Sequence, residues 1–204
     1  MINRHAWWNV PIRQGNNGGL TLLESLAARN VWFLPNRLSE NDETKAAQMT
    51  AHLAAGDTAP DFHLVRDGGG TVSLGDFKGK KLVLYFYPKA DTPGCTIEAK
   101  DFSRLHSAFA KAGIAVVGVS ADPVKRQDAF KAKHALATPL ASDENHEMLE
   151  AYGVWAEKSM YGKKYMGINR TTVLIGPDGR IARIWPKVKI EGHAQEVLAA
   201  AKAI

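Results

Sequence analysis

KLVLYFY, residues Lys81–Tyr87, runs directly into PKADTPGCT, Pro88–Thr96. After Lys81 the run is apolar or aromatic without alternation, as expected for a strand buried on both faces. A helical pattern follows from about Thr96 to Lys111, with Ile97, Phe102, Leu105 and Phe109 spaced for one side. IAVVGVS, Ile114–Ser120, is a second continuous run of strand formers. Strand, helix and strand of these lengths make a βαβ unit, which crosses over with a right-handed turn. The fold class is therefore α/β: a central mixed β-sheet flanked by helices on both faces.

The neighbouring segments extend that sheet. His63–Val65 and Thr71–Leu74 flank RDGGG, Arg66–Gly70, and read as a hairpin. RTTVLI, Arg170–Ile175, and RIARIW, Arg180–Trp185, flank GPDG, Gly176–Gly179, and read as another. Asp122-Pro123 opens a second helix, with Asp122 as its cap and Pro123 at the first helical position. Glu144–Ala151 reads as a shorter helix and Gly192–Ala201 as a closing one.

The composition bounds the function. The 204 residues are 45% hydrophobic and 23% charged, enough to bury a core and too regular for a disordered chain. The 26 Lys and Arg against 21 Asp and Glu leave a formal charge of +5. These charges are interspersed. Their densest cluster, Lys78, Lys80 and Lys81, lacks an aromatic-basic stripe and reads as a solvated turn, so no nucleic-acid partner is expected. No apolar run reaches the length of a membrane span, and no secretory signal is visible. The expected compartment is the cytoplasm. Residues 1–48 differ from the rest, with Trp7, Trp8, Trp32 and Asn-Gly turns. They are read as a poorly ordered N-terminal extension before a domain over 49–204. Translation upstream of a natural start at Met49 would explain it, and a targeting peptide is the alternative.

The chemistry centres on Cys95, the single cysteine. It cannot form an intramolecular disulfide, a CxxC pair or a multi-cysteine zinc site. It sits beyond the carboxyl end of a central strand, where open α/β sheets bind ligands. It also lies in the first turn of the next helix, whose free N–H groups and dipole favour an anion. A thiolate is the nucleophilic form of cysteine, and helix N-termini promote it. Pro88 and Pro93 stiffen the loop. The Thr92 hydroxyl either caps the helix or serves an incoming oxygen. None of the seven histidines pairs at a metal-ligand spacing, so no metal is expected; His193 could cap a helix start. A cysteine hydrolase would need His63 or His134 beside Cys95. Gly68-Gly69-Gly70 lacks the Lys-Ser/Thr ending of a phosphate loop.

PKADTPGCT fits the PxxxTxxC signature of the peroxiredoxins, and YFYPKADTPGCTIEA resembles the bacterioferritin comigratory protein, or Q-type, subgroup. The resemblance covers about Gly56 to the end. It includes GDTAPDF (Gly56–Phe62), YGVWAEKSMYGKKYMGINRTTVLIGPDG (Tyr152–Gly179) and KVKIEGHAQEVL (Lys187–Leu198). It implies a thioredoxin-like fold and a peroxidase that needs no cofactor. It maps the peroxidatic cysteine to Cys95, its threonine to Thr92, its proline to Pro88 and the active-site arginine to Arg170. Glu98 matches a glutamate of the subgroup, and helix N-terminal charge complementarity explains it equally well. The implied reaction reduces hydrogen peroxide or an organic hydroperoxide through a Cys95 sulfenic acid.

One departure stands out. Many Q-type members carry a resolving cysteine five residues after the first, where this chain has Lys100. The resemblance therefore points to the one-cysteine form. An external thiol, thioredoxin or glutaredoxin with glutathione, would then reduce the sulfenic acid. The expected assembly is a monomer or weak homodimer. A reading from another class is a thioredoxin-fold binding module whose cysteine is incidental, with YGKKYM, Tyr161–Met166, as a partner surface or as ordinary loop packing near the site.

Overall fold

A computed structural model describes residues 53–160 and 162–204 of the chain. The expected extension, residues 1–48, lies outside the described residues.

Among the described residues, nine strands and four α-helices follow in chain order. The first hairpin is β1 (His63–Arg66) and β2 (Thr71–Ser73). The expected βαβ unit is β3 (Lys81–Phe86), α1 (Pro93–Lys111) and β4 (Ile114–Ser120). Then come α2 (Val124–His134), β5 (Leu140–Ser142) and α3 (Glu147–Ala151). β6 (Trp155–Met160) and β7 (Lys163–Ile168) pair only with each other. The chain closes with β8 (Thr171–Ile175), β9 (Ile181–Pro186) and α4 (His193–Lys202). The main sheet has seven strands in the order β2-β1-β5-β4-β3-β8-β9. β3 runs parallel to β4 and antiparallel to β8, so the sheet is mixed.

β3 is the centre because both of its faces are apolar. Val83, Tyr85 and Tyr87 point to a core with Phe102 and Phe109 of α1, Phe130 of α2 and Val197 of α4. Leu82, Leu84 and Phe86 point to the opposite core, with Val117, Val119, Leu149 of α3 and Tyr152. Helices thus cover both faces, as expected, although among the described residues short α3 is the only α-helix on the second.

Four local expectations are corrected. Helix α1 begins at Pro93 rather than Thr96, because the fixed φ of proline suits the first helical position. Ile97 is 55% exposed and does not share the face of Phe102 and Phe109; Glu98 and Ala99 are buried there instead. Asp122 does not cap α2: Pro123 holds the cap position with no side-chain bond. The Asp122 carboxylate is spent elsewhere, accepting from the Ser120 hydroxyl at 2.8 Å and pairing with Arg126 at 3.1 Å. Helix α3 starts at Glu147, after a turn in which His146 takes a left-handed φ of 66° and His146 N–H donates to the Asp143 carbonyl.

Gly118 of β4 lies beside Tyr85, its register partner on β3. A Cβ at Gly118 would fall 2.4 Å from Tyr85 Cζ. That ring is fully buried, stacks on Phe102 with centroids 4.6 Å apart, and places its hydroxyl 3.2 Å from Thr138 Oγ1. Gly118→Ala therefore overpacks the core and should cost about 1–3 kcal/mol in urea unfolding. A midpoint matching the wild type would show that the ring moves aside freely.

Candidate active site

The antiparallel pairing of β8 with β3 builds the site. Its register sets Phe86 opposite Thr171, so the end of β3 lies beside the start of β8. The loop leaving β3 carries Cys95, and the residue before β8 is Arg170.

Cys95 is 1% exposed at the third position of α1. Thr96 N–H makes the first helical bond, to the Thr92 carbonyl at 2.8 Å, so the amides of Gly94 and Cys95 precede the intrahelical ladder. Arg170 Nη2 donates to Cys95 Sγ at 3.2 Å. Arg170 Nη1 pairs with Glu98 Oε2, whose residue lies one turn below Cys95 and is also 1% exposed. One guanidinium therefore serves a sulfur and a carboxylate. Gly94 lets two side chains pack close over the turn, since a Cβ there would meet Arg170 Nη2 at 3.4 Å and Ile190 Cδ1 at 3.2 Å.

Burial pushes the Glu98 carboxyl up to about 7, against the pull of Arg170. Among the described residues Glu98 Oε1 has no hydrogen-bond partner, so only one of its oxygens is compensated there for lost water.

The structure brings Cys95, Arg170 and Glu98 together. Thr92 occupies the cap position of α1, but its side chain does not cap. Its hydroxyl donates instead to the Lys89 carbonyl at 2.9 Å, which leaves its oxygen as an acceptor. Pro88 is exposed at the bend after β3. His193 is neither a cap nor a surface residue: it is 5% exposed, its Nε2 lies 2.8 Å from Thr172 Oγ1, and burial holds it below the usual imidazole range. YGKKYM is not a loop beyond Gly162: Lys163–Met166 belong to strand β7, with Tyr165 and Met166 about half exposed.

Two anchors of the loop were missed in the sequence. Asp122 Oδ2 accepts the Ala90 N–H at 2.6 Å, tying the loop to the end of β4. Asp91 holds a positive φ of 63°, and its carboxylate meets Lys133 Nζ at 2.6 Å and His134 Nε2 at 2.7 Å. Those contacts keep its carboxyl below the usual range. An aspartate at the carboxyl end of β4 was the available signal for Asp122, and it was spent on a cap.

The AhpC/TSA family pattern matches residues 55–184. The chain belongs to the AhpC/TSA family. It is 50% identical over 146 residues to a putative peroxiredoxin Bcp of Coxiella burnetii, covering 72% of this chain and 97% of that one. It is 48% identical to peroxiredoxin Bcp of Bacillus subtilis, covering 72% of this chain and 93% of the relative. A solved structure of Xanthomonas campestris peroxiredoxin Q superposes with a TM-score of 0.69 at 46% identity, covering 76% of this chain and 98% of that one. The fold is thus thioredoxin-like and the AhpC/TSA chain is a peroxidase, an oxidoreductase of the peroxiredoxin kind. It carries the one-cysteine form, with an exposed Lys100 on α1.

The raised Glu98 carboxyl fixes the sign of a pH effect. Below about pH 4.5 it is protonated in both folded and unfolded chains, and its contribution to stability is complete. As pH rises toward about 7 the unfolded chain releases the proton while the folded one keeps it, so stability is lost. Glu98→Gln removes this titration. In urea unfolding at stepped pH the wild type should lose stability relative to Glu98→Gln across that window. A pH-independent difference would contradict the assignment.

Proposed function

We propose that Cys95 is the peroxidatic nucleophile of a thiol peroxidase, with Arg170 as its charged partner. The observation that carries this reading is the Arg170 guanidinium 3.2 Å from a sulfur in the first turn of α1.

The Cys95 thiolate attacks the nearer oxygen of a hydroperoxide in line with the O–O bond. An S–O bond forms and the O–O bond breaks. The alkoxide or hydroxide takes up a proton and leaves as alcohol or water, and the sulfur becomes a sulfenic acid. Arg170, charged at all working pH, stabilises the thiolate and the charge that develops on the oxygens. The Cys95 amide offers an N–H to the substrate. Because the Thr92 hydrogen is held by Lys89, the Thr92 oxygen accepts the hydroperoxide O–H. Pro88 shapes the loop. Glu98 orients Arg170 through its second arm.

An external thiol completes the cycle, thioredoxin or glutaredoxin with glutathione, in a reducing cytoplasm. With one cysteine in the chain, both electrons must come from outside. The assembly that fits this reading is a monomer or weak homodimer, and Cys95, Thr92, Glu98 and Arg170 all come from one chain. No helix among the described residues is long and apolar enough to cross a membrane.

Reduced protein treated with limiting hydrogen peroxide and a dimedone-type reagent should be labelled stoichiometrically at Cys95, and Cys95→Ser should not be labelled. An unreactive thiol would sink the proposal. Arg170→Ala should slow peroxide reduction by about 10²–10³-fold, the size expected for losing a charged donor at a reacting centre. Made in the Glu98→Gln background, it leaves no orphaned carboxylate in the core. Unchanged single-turnover kinetics would remove Arg170 from the mechanism.

A further inference from the structure

The β6–β7 ribbon carries a cation that the scheme above leaves unused. Lys158 of β6 pairs in register with Tyr165 of β7. Its stem lies over Gly167, where a Cβ would stand 3.5 Å from Lys158 Cδ. Its ammonium donates to the Ile168 carbonyl at 2.5 Å, and Ile168 lies two residues before Arg170. An ammonium has three N–H donors, so this bond commits only one of them. Among the described residues no carboxylate lies within ion-pair distance of Lys158. Its neighbour Glu157 is taken by Lys164 at 3.0 Å. Lys158 is half-buried, and its burial and the nearby Arg170 charge lower its pKa, while Cys95 works in the opposite direction.

Among Arg170, Lys158, Glu98 and Cys95 the charges balance when both acids are ionised. Arg170 and Lys158 supply two positive charges, and ionised Glu98 with a Cys95 thiolate supplies two negative ones. When the sulfur becomes a neutral sulfenic acid, one positive charge among these four groups is left over. A protonated Glu98 enlarges the excess.

We propose that Lys158 is the anion-selecting residue of this site and favours a reductant that arrives as a thiolate bearing a further negative charge. The inference rests on the peroxidase reading. In the step it assists, the thiolate sulfur attacks the sulfur of the Cys95 sulfenic acid. An S–S bond forms, the S–O bond breaks, and hydroxide leaves with a proton as water. The incoming sulfur is oxidised and the Cys95 sulfur reduced.

Two comparisons test this, each on wild type, Lys158→Met, Lys158→Gln and Lys158→Arg. The first is alkylation of reduced Cys95 by iodoacetate against iodoacetamide, reagents that share one electrophile and differ in charge. The second is reduction of the peroxide-treated protein by 3-mercaptopropionate against 2-mercaptoethanol. In both, the anionic-to-neutral rate ratio should fall about 3- to 10-fold in the Met and Gln variants, the range for one charge several ångströms away at a partly wet site. Lys158→Arg should keep the wild-type ratio. Equal ratios in all four proteins would overturn the proposal, and so would an Arg variant as displaced as the Met variant. Taking a ratio within each variant cancels a general loss of reactivity. The alkylation arm needs no peroxidase activity, so failure of the peroxidase reading would show separately, as an alkylatable thiol that peroxide does not oxidise.

Discussion

The site depends on one guanidinium with two obligations. Arg170 must reach the sulfur of Cys95 and the carboxylate of Glu98, which lie a helical turn apart on α1. Only a residue entering the sheet beside the exit of β3 can do this. The β3–β8 pairing supplies that residue, because an antiparallel neighbour begins where β3 ends. A parallel strand in the same place would put its first residue at the far edge of the sheet. Topology, rather than any local motif, brings residues 75 positions apart to one sulfur.

The arginine would be of little use if the sulfur moved. The loop between β3 and α1 is tied down from a direction independent of Arg170. Asp122 holds the Ala90 amide, and Arg126 of α2 reaches the Ala90 carbonyl at 3.3 Å. Asp91, next along the chain, accepts a left-handed backbone and is fastened to Lys133 and His134. The Asp122 anchor continues into the core: Ser120 Oγ bridges Asp122 to Gln127, and Gln127 Oε1 accepts the Tyr87 hydroxyl. A buried polar network of this kind is tolerable only when its members satisfy one another. Preorganisation at Cys95 thus rests on hydrogen bonds made well away from it.

The parts of this legible in the sequence are those with strong local signals. The apolar runs of β3 and β4 announce themselves because both faces are buried, and GPDG marks the β8–β9 turn. The loop and Cys95 carry their own chemistry. By contrast, β5 is only three residues, too short for any periodicity to show. The β6–β7 ribbon escaped because it packs little: WAEKSM and KKYMGI mix polar and apolar residues in nearly equal number, so no alternation against a core marks them. Asp122 was misread because Asp-Pro before a helix is a good local signal for a cap, and a distant amide at Ala90 outcompeted it. Residue-level resemblance located Arg170 and Glu98, but nothing in the sequence told which arm of the arginine each partner takes.

Under the proposed cycle, the burial of Cys95 makes its two halves unequal. A hydroperoxide presents two small oxygen atoms to a sulfur that is only 1% exposed. A reductant must bring a larger sulfur to the same place, with the rest of its molecule behind it. A second cysteine in α1 would supply that sulfur from the same chain, but Lys100, the position where the resemblance expects one, is an exposed lysine. In that scheme every turnover waits on a bimolecular collision at a buried sulfur. While it waits, the proposed sulfenic acid is exposed to a further molecule of peroxide, which is smaller than any thiol reductant. Any positive charge that draws a thiolate to the mouth of the site shortens that interval, so electrostatics at the rim bears on survival of the cysteine as well as on rate.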